Sequence, residues 1–249
     1  MAAKSSLNGL KVLVTRPQQQ AQKLCALIES AGAEAITFPV IEIVELDGKQ
    51  WVQPELNMLD MIIFVSRNAV SAFVGANKEL IPDTTKLVSV GAGSAESMRA
   101  HGLRVDLQPE KSIGSEGLFS LPDFANMSEK KVLIIRGQGG RELLADTLKQ
   151  RGAEVSYLEV YQRCLPSPTE VECQQALKAE IIVCTSVAGV KNLVLLLEKG
   201  LKIIQDKPML VVSERIKKTA VLLGFKQVMV TGSVSDEAVI EQLTKMETG

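Results

Sequence analysis

Residues 10–17 read LKVLVTRP and residues 130–137 read KKVLIIRG, each a short apolar run closed by an arginine and a turn-forming residue. The likeness extends beyond these runs. After a polar segment the chain continues AGAEAITFPVIEI from Ala31 and RGAEVSYLEVYQR from Arg151, so that Arg16 and Arg136, Gly32 and Gly152, and Val40 and Val160 all stand 120 positions apart. DMIIFVSRNAVSAF from Asp60 returns at that offset as EIIVCTSVAGVKNL from Glu180, pairing Ser66 with Ser186. KLVSVGAGSAESMRAHGLRVD from Lys86 matches PMLVVSERIKKTAVLLGFKQVMV from Pro208 at an offset nearer 122, and SEGL at Ser115 matches SDEAV at Ser235 at 120 again. Segments repeated in this order argue for a duplicated structural unit.

Each copy alternates short apolar runs with helical patterns. Ala21, Leu24, Cys25 and Ile28 fall at i, i+3, i+4 and i+7 ahead of Gly32, a helix stop. The runs IIF, IIVC and LVVS are apolar throughout, as parallel strands covered on both faces should be. The pattern predicts two similar α/β domains with doubly wound parallel sheets, and the repeat alone divides the chain near Pro122.

Length and composition agree with that reading. A chain of 249 residues suits two domains of ordinary size. Its 28 basic and 29 acidic side chains leave no broad positive field for nucleic acid or an anionic membrane, so an anionic ligand would be held locally. Met1–Asn8 lacks the apolar core of a signal peptide and no run is long enough to span a membrane, which predicts a cytoplasmic protein. Cys25, Cys164, Cys173 and Cys184 form no C-x-x-C pair, and with His101 the only histidine they are expected to be reduced thiols without metal.

In open parallel sheets ligands gather beyond the carboxyl ends of the strands, where helix N-termini present free N–H groups. Here those junctions carry Thr15-Arg16-Pro17, Ser66-Arg67-Asn68, Gly91-Ala92-Gly93-Ser94, the run Arg136-Gly137-Gln138-Gly139-Gly140-Arg141, Thr185-Ser186 and Ser213-Glu214. A single hydroxyl at such a junction is better explained as an N-cap. Arg16, Arg67 and Arg136 at the same edges favour a carboxylate or phosphate ligand. TRPQQQ and VGAGSA lack the dinucleotide fingerprint, and GQGGRELL lacks the Gly-Lys-Ser/Thr ending of a nucleoside-triphosphate loop. His101, in the last turn before Gly102, reads as a helix C-cap rather than a catalytic base. Tyr161, one of two tyrosines, stands where the other copy has Ile41, and that asymmetry marks it as a functional candidate beside its reading as a half-buried strand residue.

The ordered pieces VLVTRP, FPVIEI, FVSRNAV, VGAGSA, SEGL, VLIIRG with GGREL, RGAEV with VYQR, and TSVAGV resemble the uroporphyrinogen-III synthase family over nearly the whole chain. The resemblance implies flavodoxin-like or HUP-like domains joined by a two-stranded antiparallel linker, with a cleft between them. Residues 1–40 and 163–249 would form one domain and residues 41–162 the other. The implied reaction is that of a cyclising hydro-lyase in heme biosynthesis. Hydroxymethylbilane, a chain of four pyrroles with eight carboxylates, loses its terminal hydroxyl as water and closes to uroporphyrinogen III with the last ring inverted. No cofactor is implied, because the substrate also closes unaided without inversion, so positioning and help to the leaving hydroxyl suffice.

Carried over residue by residue, Tyr161 matches the family tyrosine placed at the leaving hydroxyl, as general acid or hydrogen-bond donor. Ser94 and Ser186 match family hydroxyls lining the cleft. Thr15, Arg16, Ser66, Arg67, Arg136, Gly137 and Ser213 complete the expected substrate-binding set; the run Ser213-Glu214-Arg215-Ile216 departs from the Gly-Pro-Thr-Thr of relatives. A monomer is expected, with no nucleic-acid or membrane partner, and transient contact with the upstream bilane-forming enzyme is left open. A two-lobed binding protein for a small anion, using the same helix N-termini without chemistry, is the alternative reading.

Overall fold

The computed structural model describes residues 7–47, 55–77, 81–109, 115–140, 142–233 and 235–247. The chain divides into two compact units, Met1–Glu42 with Cys164–Gly249, and Ile43–Arg163.

The first unit holds β1 (Lys11–Val14), α1 (Gln18–Ser30), β2 (Glu34–Thr37) and, after the second unit, α6 (Glu170–Ala176), β8 (Ile181–Cys184), α7 (Val187–Leu196), α8 (Leu201–Gln205), β9 (Met209–Val211), α9 (Glu214–Leu222), β10 (Val228–Val230) and α10 (Asp236–Glu247). Its sheet runs β10-β9-β8-β1-β2, with each neighbouring pair parallel. Alternate residues feed opposite cores, as the pleat requires. Leu13, Ile182 and Met209 pack under Val190 of α7 and Ala220 of α9, whereas Val12, Val14 and Ile181 pack under Leu24 and Ile28 of α1 and Leu243 of α10. Of the expected α1 stripe, Ala21, Leu24 and Ile28 are buried and Cys25 packs at the margin.

The second unit holds β3 (Glu42–Glu45), β4 (Met61–Phe64), α2 (Arg67–Asn77), β5 (Lys86–Ser89), α3 (Ala92–Ala100), α4 (Ser115–Phe119), β6 (Lys131–Gly137), α5 (Leu143–Gln150) and β7 (Glu154–Cys164). Its sheet runs β3-β7-β6-β4-β5, parallel from β7 through β5. Edge strand β3 lies beside β7, with Leu46 N–H bonded to Val160 O at 3.0 Å. One face packs Ile62, Phe64 and Leu133 against Val70 and Phe73 of α2 and Met98 of α3; the other packs Ile63, Val132 and Ile134 against Leu144 and Leu148 of α5.

Two doubly wound parallel α/β sheets are therefore present, as the sequence pattern predicts. The cut near Pro122 that the repeat suggests is not where the sheets part. β1 and β2 join β8, from the other sequence copy, and β4 and β5 join β6 and β7. The strand order β9-β8-β1-β2 matches β5-β4-β6-β7 position for position, so each sheet is assembled from one piece of each copy. Equivalent corners are built alike. Gly32 and Gly152 end α1 and α5 at φ of 89° and 96°, a conformation costly for other residues.

Candidate functional site

The carboxyl edge of the second sheet gathers six of the expected site residues. Ser66 and Arg67 follow β4, Ser94 lies in the first turn of α3 after β5, Arg136 and Gly137 end β6, and Tyr161 lies on β7.

Tyr161 reaches this edge through an irregularity. Arg136 pairs with Glu159 and Gly137 with Tyr161, so Val160 is an extra residue, a β-bulge. Strict alternation would put Tyr161 on the face of Tyr157 and Glu159. The bulge turns it to the opposite face, where it packs with Leu158 and Val160 against the α2 side while Tyr157 stays on the α5 side. Tyr161 is 1% exposed. Its ring crosses Gly137, where an added Cβ would stand 2.5 Å from two ring carbons, so only glycine lets the phenol pass over β6 to the end of β4. There its hydroxyl lies 3.1 Å from Ser66 Oγ. Ser66 Oγ also accepts the Ala69 N–H at 3.1 Å, capping α2. Arg163 donates from Nη2 to the phenol oxygen at 2.9 Å, with its guanidinium carbon 5.3 Å from the ring centroid.

Arg136 has a different role. It donates to Glu142 at 2.8 Å and Glu159 at 3.2 Å and stacks 3.8 Å over Tyr157, whose hydroxyl donates to Glu142. Burial, the largest single effect, opposes the Arg136 charge, but the bond and charge of Glu142 together with Tyr157 and Glu159 outweigh it, and the group is held above its ordinary value. The bonds from Tyr157 and then Arg136 hold Glu142 below the usual carboxylate range. Burial first, then Glu142, pushes the Tyr157 phenol up to about 12. The two tyrosines thus differ sharply: the Tyr157 proton is committed to a carboxylate, and the Tyr161 hydroxyl faces a serine and a cation.

Arg67 is also engaged, donating to Gly93 O at 3.1 Å and Glu96 at 3.2 Å. It thereby covers the first turn of α3, which starts at N-cap Gly91 without a side-chain cap. Ser94 is 7% exposed, and its hydroxyl finds no hydrogen-bond partner among the described residues. At the other end of α3, His101 is the C-cap, its Nδ1 2.8 Å from Ser97 O, as the sequence predicts.

Thr15, Arg16, Ser186 and Ser213 line the carboxyl edge of the first sheet. Thr15 donates to Val183 O at 3.0 Å, and Arg16 holds Asp236 at 2.5 Å with both side chains largely buried. Ser186 caps α7 through the Gly189 N–H at 2.9 Å, and Ser213 caps α9 through the Ile216 N–H at 3.4 Å. Arg16, Arg67 and Arg136 each hold a carboxylate of the chain itself. The arginine that touches Tyr161 is Arg163, outside the expected set. The signal for it was the spacing in VYQR, since residues two apart on a strand share a face. Glu142, at a helix opening, and Glu159 stand outside the expected set, because the sequence does not say which carboxylate an arginine will meet. Arg141 lies outside the described residues. Among the described residues no three acidic, histidine or cysteine side chains come together as metal ligands, and no helix is long and apolar enough to cross a membrane.

Known proteins are similar to this chain in sequence and in fold. The HEM4 family, described as uroporphyrinogen-III synthase HemD, matches residues 22–241. Uroporphyrinogen-III synthase of Escherichia coli is 30% identical over 94% of this chain and 100% of its own length, and that of Salmonella typhimurium is 30% identical over the same shares. The crystal structure of uroporphyrinogen-III synthetase from Helicobacter pylori superposes with a TM-score of 0.68 at 17% identity, covering 95% of this chain and 99% of that one. A mutant uroporphyrinogen III synthase from Thermus thermophilus superposes at 0.60 with 16% identity, over 96% and 100%. The two solved structures speak for the fold; the family match and the full-length relatives settle that this chain belongs to the uroporphyrinogen-III synthase family.

Proposed function

We propose that the chain closes hydroxymethylbilane to uroporphyrinogen III, with loss of water and inversion of the terminal ring, as a cyclising hydro-lyase of heme biosynthesis. Family membership supports the reaction. The observation that carries the chemistry is the Tyr161 hydroxyl at the end of the second sheet, 3.1 Å from Ser66 and 2.9 Å from Arg163.

Expelling hydroxide from the terminal carbon is slow, and expelling water requires a proton at the departing oxygen. A phenol is protonated at neutral pH and can supply it, a contribution of typically about 10²-fold or more for a positioned acid. Holding a flexible bilane in the geometry that inverts the last ring calls for fixed contacts to its carboxylates. The α3 N-terminus offers N–H groups without a side-chain cap beside the Ser94 hydroxyl, which has no partner among the described residues, and a carboxylate suits both. We assign further carboxylates to the helix starts at Ser66, Ser186 and Ser213 and to the strand end at Thr15. Arg16, Arg67 and Arg136 would act through the acids they hold, fixing the loops that carry these N–H groups.

Product analysis tests the proposal. Hydroxymethylbilane is generated in solution, the protein is added, and the oxidised products are separated by chromatography into type I and type III uroporphyrin. Predominance of type III is expected. Type I alone from folded protein would overturn the synthase reading in favour of an anion-binding protein.

A further inference from the structure

We infer that Arg163 is a positioning residue for proton transfer, orienting the Tyr161 hydroxyl outward and compensating the negative charge that its oxygen acquires. This rests on the reading of Tyr161 as the proton donor and adds a residue and a direction to it.

The argument starts from a hydrogen-bond count. The Ser66 hydroxyl has one proton to give, and its oxygen already accepts the Ala69 N–H. The phenol oxygen accepts from Arg163, and a guanidinium cannot accept in return. If Ser66 then donates to the phenol across 3.1 Å, every group between α2 and β7 is satisfied and the phenol proton is left to point away from both. That is the orientation a donor to a ligand needs.

Charge supplies the second strand. At the carboxyl edge of this sheet Arg67 is paired with Glu96, and Arg136 with Glu142 and Glu159. Arg163 forms no ion pair among the described residues, and its guanidinium leans on the ring it serves. A cation in contact with the phenol oxygen is placed to compensate the charge left there when the proton departs. In the step itself the Tyr161 O–H bond breaks and its proton goes to the hydroxymethyl oxygen. The carbon–oxygen bond then breaks with its electron pair leaving in water. The cation left on carbon is stabilised by its pyrrole nitrogen, and the phenolate is stabilised by Arg163. Once the last ring has been inverted, the final carbon–carbon bond forms at its unsubstituted pyrrole carbon, whose hydrogen leaves as the proton that restores the phenol, so no other reactant is needed.

The repeat is consistent with this assignment. The positions equivalent to Tyr161 and Arg163, 120 residues earlier, are Ile41 and Ile43, so phenol and cation are present together in one copy and absent together from the other.

The test is a double-mutant cycle on type III formation with Tyr161→Phe, Arg163→Gln and the double variant, with Arg163→Lys as the conservative control and circular dichroism to verify folding. Expected are a loss of about tenfold in kcat for Arg163→Gln at little change in KM, partial recovery in Arg163→Lys, and less than about a twofold further loss when Arg163→Gln is added to Tyr161→Phe. Equal losses in both backgrounds, or a raised KM at unchanged kcat, would overturn the inference and make Arg163 a carboxylate ligand. An unchanged kcat in Tyr161→Phe would instead remove the proton-donor reading itself, and Arg163's role with it. If Arg163→Gln fails to fold, the same cycle run with Arg163→Lys decides.

Discussion

Ser66 and Ser186 occupy equivalent places in the two copies, each at the end of a fully buried strand and each accepting the N–H three residues on, at 3.1 and 2.9 Å. There the likeness ends. Ser66 meets a phenol that is itself held by an arginine, while the residue equivalent to that phenol in the other copy is Ile41, packed at the margin of the first unit's core. The position equivalent to Gly137, which lets the ring cross, is Pro17, the N-cap of α1. The same scaffold thus carries a cap in one copy and a cap joined to a buried phenol in the other. The fold is present twice, and the phenol with its arginine once.

The largest test of that contrast is Gly137→Ala. Its Cβ would collide with ring atoms that are buried and cannot swing aside. Displacement of the phenol should cost about 10²-fold or more in kcat, with a stability loss of about 1–3 kcal/mol from overpacking read as a lower Tm. Retention of full activity would show that the ring position does not matter. Next in size is the pair Ser66→Ala and Ser186→Ala. Each loses a cap and should lose about 1 kcal/mol of stability, but Ser66→Ala should also lower kcat several-fold, whereas Ser186→Ala, at a helix start assigned to a substrate carboxylate, should act on KM. Equal kinetic effects would erase the distinction between the copies.

The smallest effect separates the two tyrosines. Because the Tyr157 phenol is pushed up to about 12 from 10.0, the unfolded chain releases that proton first. Its contribution to stability is therefore fully present below pH 10 and is lost as pH rises toward 12. Ultraviolet titration should show a late tyrosinate step that Tyr157→Phe removes and Tyr161→Phe leaves in place. Loss of the late step in Tyr161→Phe alone would reverse the roles given to the two phenols.

Much of this was legible along the chain. Apolar runs such as MIIF and IIVC, followed by capping serines and closed by glycine at helix ends, specify strands and helices through interactions within a few residues, and the structure forms all of them. The loading of strand ends with Thr15, Ser66, Ser94, Ser186 and Ser213 was legible for the same reason, since junction chemistry is local. Partners were not. The acid that holds Arg16 lies 220 residues away in sequence, on α10, and those that hold Arg136 lie 6 and 23 residues away. Arg163 stood in a motif already singled out, but its role depends on where Tyr161 points.

By itself the sequence determined a duplicated α/β pattern, its strand and helix segments, and Tyr161 standing where the other copy has Ile41. Only the tertiary structure decided which strands share a sheet and which face the tyrosine takes. Two equivalent copies satisfy the local pattern whether each folds alone or they exchange pieces, so the choice rests on long-range strand pairing. The tyrosine's face rests on one extra residue in a ladder, a bulge that exists only when β7 is set against β6.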